Sequence, residues 1–109
     1  ANARGLMQAY LEAIRDIKKN KEPALRIMAK YLRMDLETNR ESLTDAYDET
    51  IASDEMERKP YPNRDGMKLA VELIAKQRNI SPLPAIDNFI DVGILEELDR
   101  SGFIDQLYR

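Results

Sequence analysis

Leu6, Met7, Tyr10, Leu11, Ile14 and Ile17 recur at three- and four-residue spacing, and the same period governs the apolar segments downstream. Strict alternation of apolar and polar residues occurs nowhere. A period near 3.6 puts apolar side chains on one stripe of a helix, so the expected fold is all-α, a small bundle of about five helices without sheet. Composition agrees, because leucine, isoleucine, alanine and 5 methionines carry the apolar content against 2 phenylalanines and no tryptophan. At 109 residues the chain fits one helical domain, residues 1–109, with a single core.

The first stripe predicts a helix over residues 4–19, with Lys18 and Lys19 favourably placed at the negative end of its dipole. Asn20 reads as the N-cap of a second helix, with Glu22 and Pro23 in its first turn and Leu25, Met28, Ala29 and Leu32 on its stripe. So short a connection predicts an antiparallel hairpin. Asp35 caps a third helix, with Leu36, Leu43, Tyr47 and Ile51 inward and Glu37, Glu41, Asp45, Asp48 and Glu49 outward. Residues 53–63 lack periodicity and hold Pro60 and Pro62, so they read as an extended connection. A fourth helix opens near Asn63 and Asp65. Its stripe is Met67, Ala70, Val71 and Ile74, while Lys68, Glu72 and Lys76 alternate in sign on an outer face. Ser81-Pro82-Leu83-Pro84 breaks the chain, a short turn is expected over 85–89, and Asp91 caps a last helix carrying Ile94, Leu95 and Leu98. That helix stops at Arg100-Ser101-Gly102-Phe103, a Schellman signature with Gly102 at C′ and Phe103 set to touch Leu98. Ile104, Leu107 and Tyr108 then form one more apolar turn. The pattern of tetratricopeptide repeats is missing, and no other repeat is evident.

Little here carries chemistry. The 17 basic and 20 acidic residues give a net charge of -3, which removes an electrostatic footprint for nucleic acid. With no histidine and no cysteine the common triads and zinc sites are impossible, so the expectation is no catalytic residue, no metal site and no cofactor. Asp45 with Glu49, or Glu37 with Glu41, sits one helical turn apart as a candidate metal or acid/base pair; both pairs read more simply as a solvated face. Gly5, Gly66, Gly93 and Gly102 are isolated and form no phosphate-cradling loop. Tyr10, Tyr31 and Tyr47 fall on or near stripes and are read as partly buried. Tyr61, held between two prolines, is either a surface anchor or loop filling. Arg58, Lys59 and Arg64 around it are either an anion contact or a solvated loop. Apolar runs such as residues 69–74 fall far short of the roughly 18 residues a membrane span needs. No secretory signal is present, which points to a cytosolic protein or an excised segment of a longer one, and Ala1-Asn2-Ala3 reads as an appended scar.

The order of residues says more. The run Ala9-Tyr10-Leu11-Glu12-Ala13-Ile14, followed by Asn20-Lys21-Glu22 and Ile27-Met28-Ala29-Lys30-Tyr31-Leu32, resembles the helical C-terminal third of ABC-transporter solute-binding proteins. The class it resembles handles nitrate, sulfonates, taurine and thiamine precursors. Pro62 before Gly66-Met67-Lys68, then Phe89-Ile90-Asp91, and Leu98-Asp99-Arg100-Ser101-Gly102-Phe103-Ile104-Asp105 with Leu107-Tyr108 are similar to later elements of that class, in the same order. The resemblance spans nearly all of residues 6–108. It implies a parent with two α/β lobes that close on a small solute outside the cytoplasm and pass it to a membrane permease. It also implies that the polar ligand contacts lie before residue 6, so no ligand-binding residue is assigned to this chain, and the matching Gly66 and Gly102 are architectural.

Two expectations follow for the chain by itself. As a segment of such a protein it leaves open an apolar face and self-associates, most simply as a two-fold dimer, with Leu69, Leu73, Tyr61, Ile80, Leu83 and Tyr108 contributing. As an autonomous helical interaction module, the alternative, it holds a partner peptide in a groove and stays monomeric. Far-ultraviolet circular dichroism checks the fold class common to both. A helix-dominated spectrum is expected, and one dominated by strand or coil contradicts it.

Overall fold

The computed structural model describes residues 2–109; Ala1, read above as part of an appended scar, lies outside them. Six α-helices are formed: α1 (Asn2–Lys19), α2 (Lys21–Leu32), α3 (Leu36–Ala46), α4 (Arg64–Arg78), α5 (Gly93–Arg100) and α6 (Phe103–Leu107). A π-helical turn, Tyr47–Ala52, continues α3, and a 3₁₀ turn, Ile86–Phe89, lies between α4 and α5. The described residues contain no strand. The all-α expectation therefore holds, with six helices instead of five because Gly102, at φ 80, separates α6 from α5. No helix of the described residues is long and apolar enough to cross a membrane.

The helix boundaries follow local chemistry. Asp35 caps α3 by accepting the Thr38 N–H at 3.0 Å, and Asn63 caps α4 by accepting the Gly66 N–H at 2.9 Å. Asn20 does not cap α2. Its side-chain amide turns back and donates to the Asp16 carbonyl at 2.9 Å, so it closes the end of α1 instead. Asp91 accepts the Gly93 N–H at 3.1 Å, one position before the true N-cap, Val92. At Gly102 only half of the expected Schellman pattern forms, the Gly102 N–H reaching the Asp99 carbonyl at 3.0 Å. The Ser101 hydroxyl takes the rest by donating to the Leu98 carbonyl at 2.8 Å and accepting the Phe103 N–H at 3.4 Å. The six-to-one bond of that motif appears at two ends not expected to carry it, Met34 N–H to Ala29 O at 2.9 Å and Ile80 N–H to Ala75 O at 2.8 Å. Arg33 and Asn79 occupy the left-handed positions there.

Two small cores form in place of the single core expected. Ala24, Leu25, Ala29, Leu43 and Tyr47 bury one between α2, α3 and the end of α1, with Ile17, Met28, Met34, Leu36 and Ile51 around it. Leu11, Leu95, Leu98 and Ile104 bury the other between the middle of α1, α5 and α6. The helix α1 reaches both. Its stripe is only partly covered, since Leu6 and Tyr10 lie open, as do Leu32 and Tyr31 on α2, the latter 77 % exposed. Of the three tyrosines read as partly buried, only Tyr47 is.

The arm of α4 is the main departure from a bundle. Beyond a weak contact or two, α4 packs against its own 3₁₀ turn and no other element. Only Ala75 on it is buried, and Ile74 of the expected stripe is half exposed. The molecule measures 53 × 37 × 23 Å with a radius of gyration of 17.8 Å, whereas a compact domain of this length has about 13 Å.

Replacing Gly102 with alanine is expected to lower stability by about 1 kcal/mol or more, because no neighbour crowds an added Cβ and the cost is that of the left-handed backbone alone. Phe103→Ala removes a side chain packed on the Leu98 core, and the two losses should be less than additive because they share one turn. Thermal denaturation of the single and double variants measures both effects.

Candidate functional site

The connection between the π turn and α4 is a strap tied to the second core. Lys59 Nζ lies 2.7 Å from Asp99 Oδ1 and 3.1 Å from Asp105 Oδ1, which joins the strap to both α5 and α6. Two residues on, the Tyr61 hydroxyl donates to Asp99 Oδ2 at 2.8 Å while its ring packs beside Leu11, Leu95, Leu98 and Ile104. Tyr61 is thus neither an outside anchor nor loop filling; it fastens the chain to itself. The hydrogen bonds from Lys59 and then Tyr61 hold the Asp99 carboxyl below the usual aspartate range. Reciprocally, the bonds to Asp99 and Asp105 raise Lys59, and the bond to Asp99 raises the Tyr61 phenol.

The basic residues around Tyr61 disperse in the fold. Arg58 stacks 4.6 Å above the ring of Tyr108, Arg64 pairs with Asp87, and Lys59 is taken by its two aspartates, so the three build no common anion contact. Lys19 lies 5.9 Å from the Tyr108 ring, whose hydroxyl is buried without a hydrogen-bond partner. Burial raises the Tyr108 phenol, and the Arg58 and Arg15 charges oppose that shift.

At the other core, Tyr47 and Lys18 cap each other's helices. The Tyr47 hydroxyl reaches the carbonyls of Ile17 and Lys18, at 2.7 and 2.9 Å, in the last turn of α1. Lys18 Nζ donates to the carbonyls of Ile51 and Ser53, at 2.7 and 3.0 Å, at the end of the π turn. Burial holds the Lys18 ammonium below its usual range, with repulsion from Arg58 adding to it. Outside this contact the acids of α3 stay in solvent. Glu37, Glu41, Asp45 and Glu49 are exposed, and Asp48 pairs with Lys21 at 2.7 Å.

Two hollows remain. One of about 500 Å³ opens between α1, the π turn and the strap, lined by Tyr10, Ile14 and Tyr61 together with Glu55 and Glu57. The other, of about 330 Å³, lies in the arm between α4 and the 3₁₀ turn, and every residue lining it is apolar: Met67, Ala70, Val71, Ile74, Ala75, Ile80, Pro84 and Phe89. A hollow of that make-up takes apolar side chains and gives no chemistry to a reacting group. The described residues contain no group of three or more acids arranged to hold a metal ion. Sequence reasoning named Tyr61 and Lys59 as open questions and missed Asp99, whose role depends on a partner 38 residues away.

The strap gives a pH dependence whose signs are fixed by these shifts. Asp99 is depressed, so its contribution is present above the ordinary aspartate value of 3.8 and fades as pH falls through the folded value. Lys59 and Tyr61 are raised, so theirs is present below 10.5 and 10.0 and is lost as pH rises through the folded values. Asp99→Asn should remove this site's acid loss and reduce its alkaline loss, of which the Lys59–Asp105 pair keeps a part, read as a flatter profile of melting temperature against pH than the parent chain gives. Comparison with protein-family models, with curated proteins and with solved structures finds no match to the chain.

Proposed function

We propose that the chain is the helical C-terminal part of an extracytoplasmic solute-binding protein that delivers a small solute to an ABC-transporter permease. Its own role in that protein is structural, not catalytic. The observation that carries this reading is the uncovered arm: α4 leaves an all-apolar hollow open to solvent on a molecule far less compact than its length allows. A segment that normally rests on another body has that form. The order of the resembling residues from Ala9 to Tyr108 supports a body of two α/β lobes that precede these helices and hold the solute. Such a parent works in the periplasm or its equivalent, and the solute and permease reach these helices only through it.

A second reading, an autonomous helical interaction module, draws on the same hollow, which is wide enough for one or two apolar side chains of a partner peptide. The reading frame encoding the chain separates the two. A secretory or lipoprotein leader followed by two α/β lobes upstream is expected, and a frame that encodes these helices alone, or joins them to a different class of domain, overturns the first reading in favour of the second.

A further inference from the structure

On the side of α4 away from Ala75, which its own 3₁₀ segment covers, Leu69 and Leu73 stand one turn apart at 56 % and 59 % exposure. Asp65, Lys68, Glu72 and Lys76 run alongside them at spacings that keep all four on one flank. All four are exposed, and none forms an ion pair with any described residue, although Lys68 and Glu72, and Glu72 and Lys76, are each spaced to do so. Elsewhere some helix charges are taken up, as in Lys21 with Asp48, Arg40 with Glu22 and Lys59 with its two aspartates, while the acids of α3 stay in solvent without an ordered set of opposite charges beside them. The flank of α4 is an unpaired set of alternating sign beside an apolar ridge.

The order of those charges is its own complement when reversed. An antiparallel two-fold axis through the middle of α4, between Ala70 and Val71, sets Asp65 level with the partner's Lys76 and brings Lys68 within one residue, about 1.5 Å of rise, of the partner's Glu72. The same axis sets Leu69 against the partner's Leu73. Each contact occurs twice, as an isologous interface requires. A parallel pairing instead sets Lys68 against Lys68 and Glu72 against Glu72, which repels. We infer that a second copy of this chain is the occupant of the Leu69–Leu73 ridge, held antiparallel by α4 with the Asp65–Lys76 and Lys68–Glu72 pairs fixing the register. The all-apolar hollow opens on a different side of α4, so the inference does not rest on the reading proposed above and does not compete for its surface.

Sedimentation equilibrium on the 109-residue chain tests this with three samples. The parent chain is expected to shift from 12.6 kDa towards twice that mass across tens to hundreds of micromolar, and raised salt is expected to weaken the shift. Lys68→Glu and Glu72→Lys each replace two attractive pairs with repulsive ones, and each alone should weaken self-association by about tenfold. An equimolar mixture of the two variants restores opposite charges at both contacts and should associate at least as well as the parent chain. Circular dichroism of each variant verifies that the helices are kept. A parent chain that stays monomeric on concentration overturns the inference. So does association that ignores both charge reversals, including association lost only when Phe89→Ser alters the hollow.

Discussion

The exchange between Tyr47 and Lys18 decides how the rest of the molecule is arranged. A helix ends with carbonyls that have no partner inside it, and here the last turn of α1 and the end of the π turn would both leave such groups half buried. Each supplies what the other lacks: the Tyr47 phenol covers two carbonyls of α1, and the Lys18 ammonium covers two at the close of the π turn. This fixes the distance and rotation between α1 and α3. The core of Ala24, Leu25, Ala29 and Leu43 fills the space beneath, and α2 is held within it. The widening of α3 into a π turn starts at Tyr47 itself, where the side chain is drawn toward α1 and the regular ladder gives way. Because Lys18 sits within the last turn of α1, the position of that helix is set at one end, and its middle carries Leu11 into the second core.

Local signals were legible in the sequence, and partnerships at a distance were not. Asp35 and Asn63 cap where an acid or amide before an apolar stripe should, and Gly102 takes the left-handed conformation that a glycine after Arg100-Ser101 suggests. These depend on a few neighbouring atoms. Asn20 had the same signature as Asn63, yet its side-chain amide joins its own backbone N–H on the Asp16 carbonyl and leaves the first N–H groups of α2 uncapped. The stripe rule says which residues share a face and leaves open what stands opposite. That is why Leu6, Leu32 and Ile74 follow the period and remain exposed, whereas Leu25 and Leu43, with identical credentials, are buried. Asp99 reads as an ordinary acid near a helix end until Lys59 and Tyr61 arrive from a segment without any periodicity.

Charge follows the same division. In the body, ion pairs link one element to another: Glu22 of α2 with Arg40 of α3, Lys21 of α2 with Asp48 of the π turn, and Arg4 of α1 with Glu97 of α5. Exposed pairs of this kind contribute up to about 1 kcal/mol each, too little to hold helices together, but enough to choose among packings the apolar residues tolerate. In the arm the one such link among the described residues is Arg64 with Asp87, which fastens α4 to its own 3₁₀ turn. The arm therefore carries its own short-range restraints and almost none to the body.

That asymmetry bears on what keeps the arm folded. Fully covering a large aliphatic or aromatic side chain is worth about 1.5 to 3 kcal/mol, and Ile74, Ile80 and Phe89 remain 50 %, 44 % and 60 % exposed around the hollow. Covering the remainder of these three would supply a few kcal/mol, a large share of the roughly 5 to 15 kcal/mol by which a whole domain is stable. A helix of 15 residues with one buried position has little else to draw on, since an isolated helix of that length is marginal in water. The Asn63 cap, the Asn79 stop and the Arg64 to Asp87 pair define where α4 begins, ends and meets its turn, and they do so without apolar cover. Definition and stability thus have different sources in the arm: the first lies in caps and a short-range ion pair, and the second is limited by the apolar area that Ile74 and Phe89 leave in solvent.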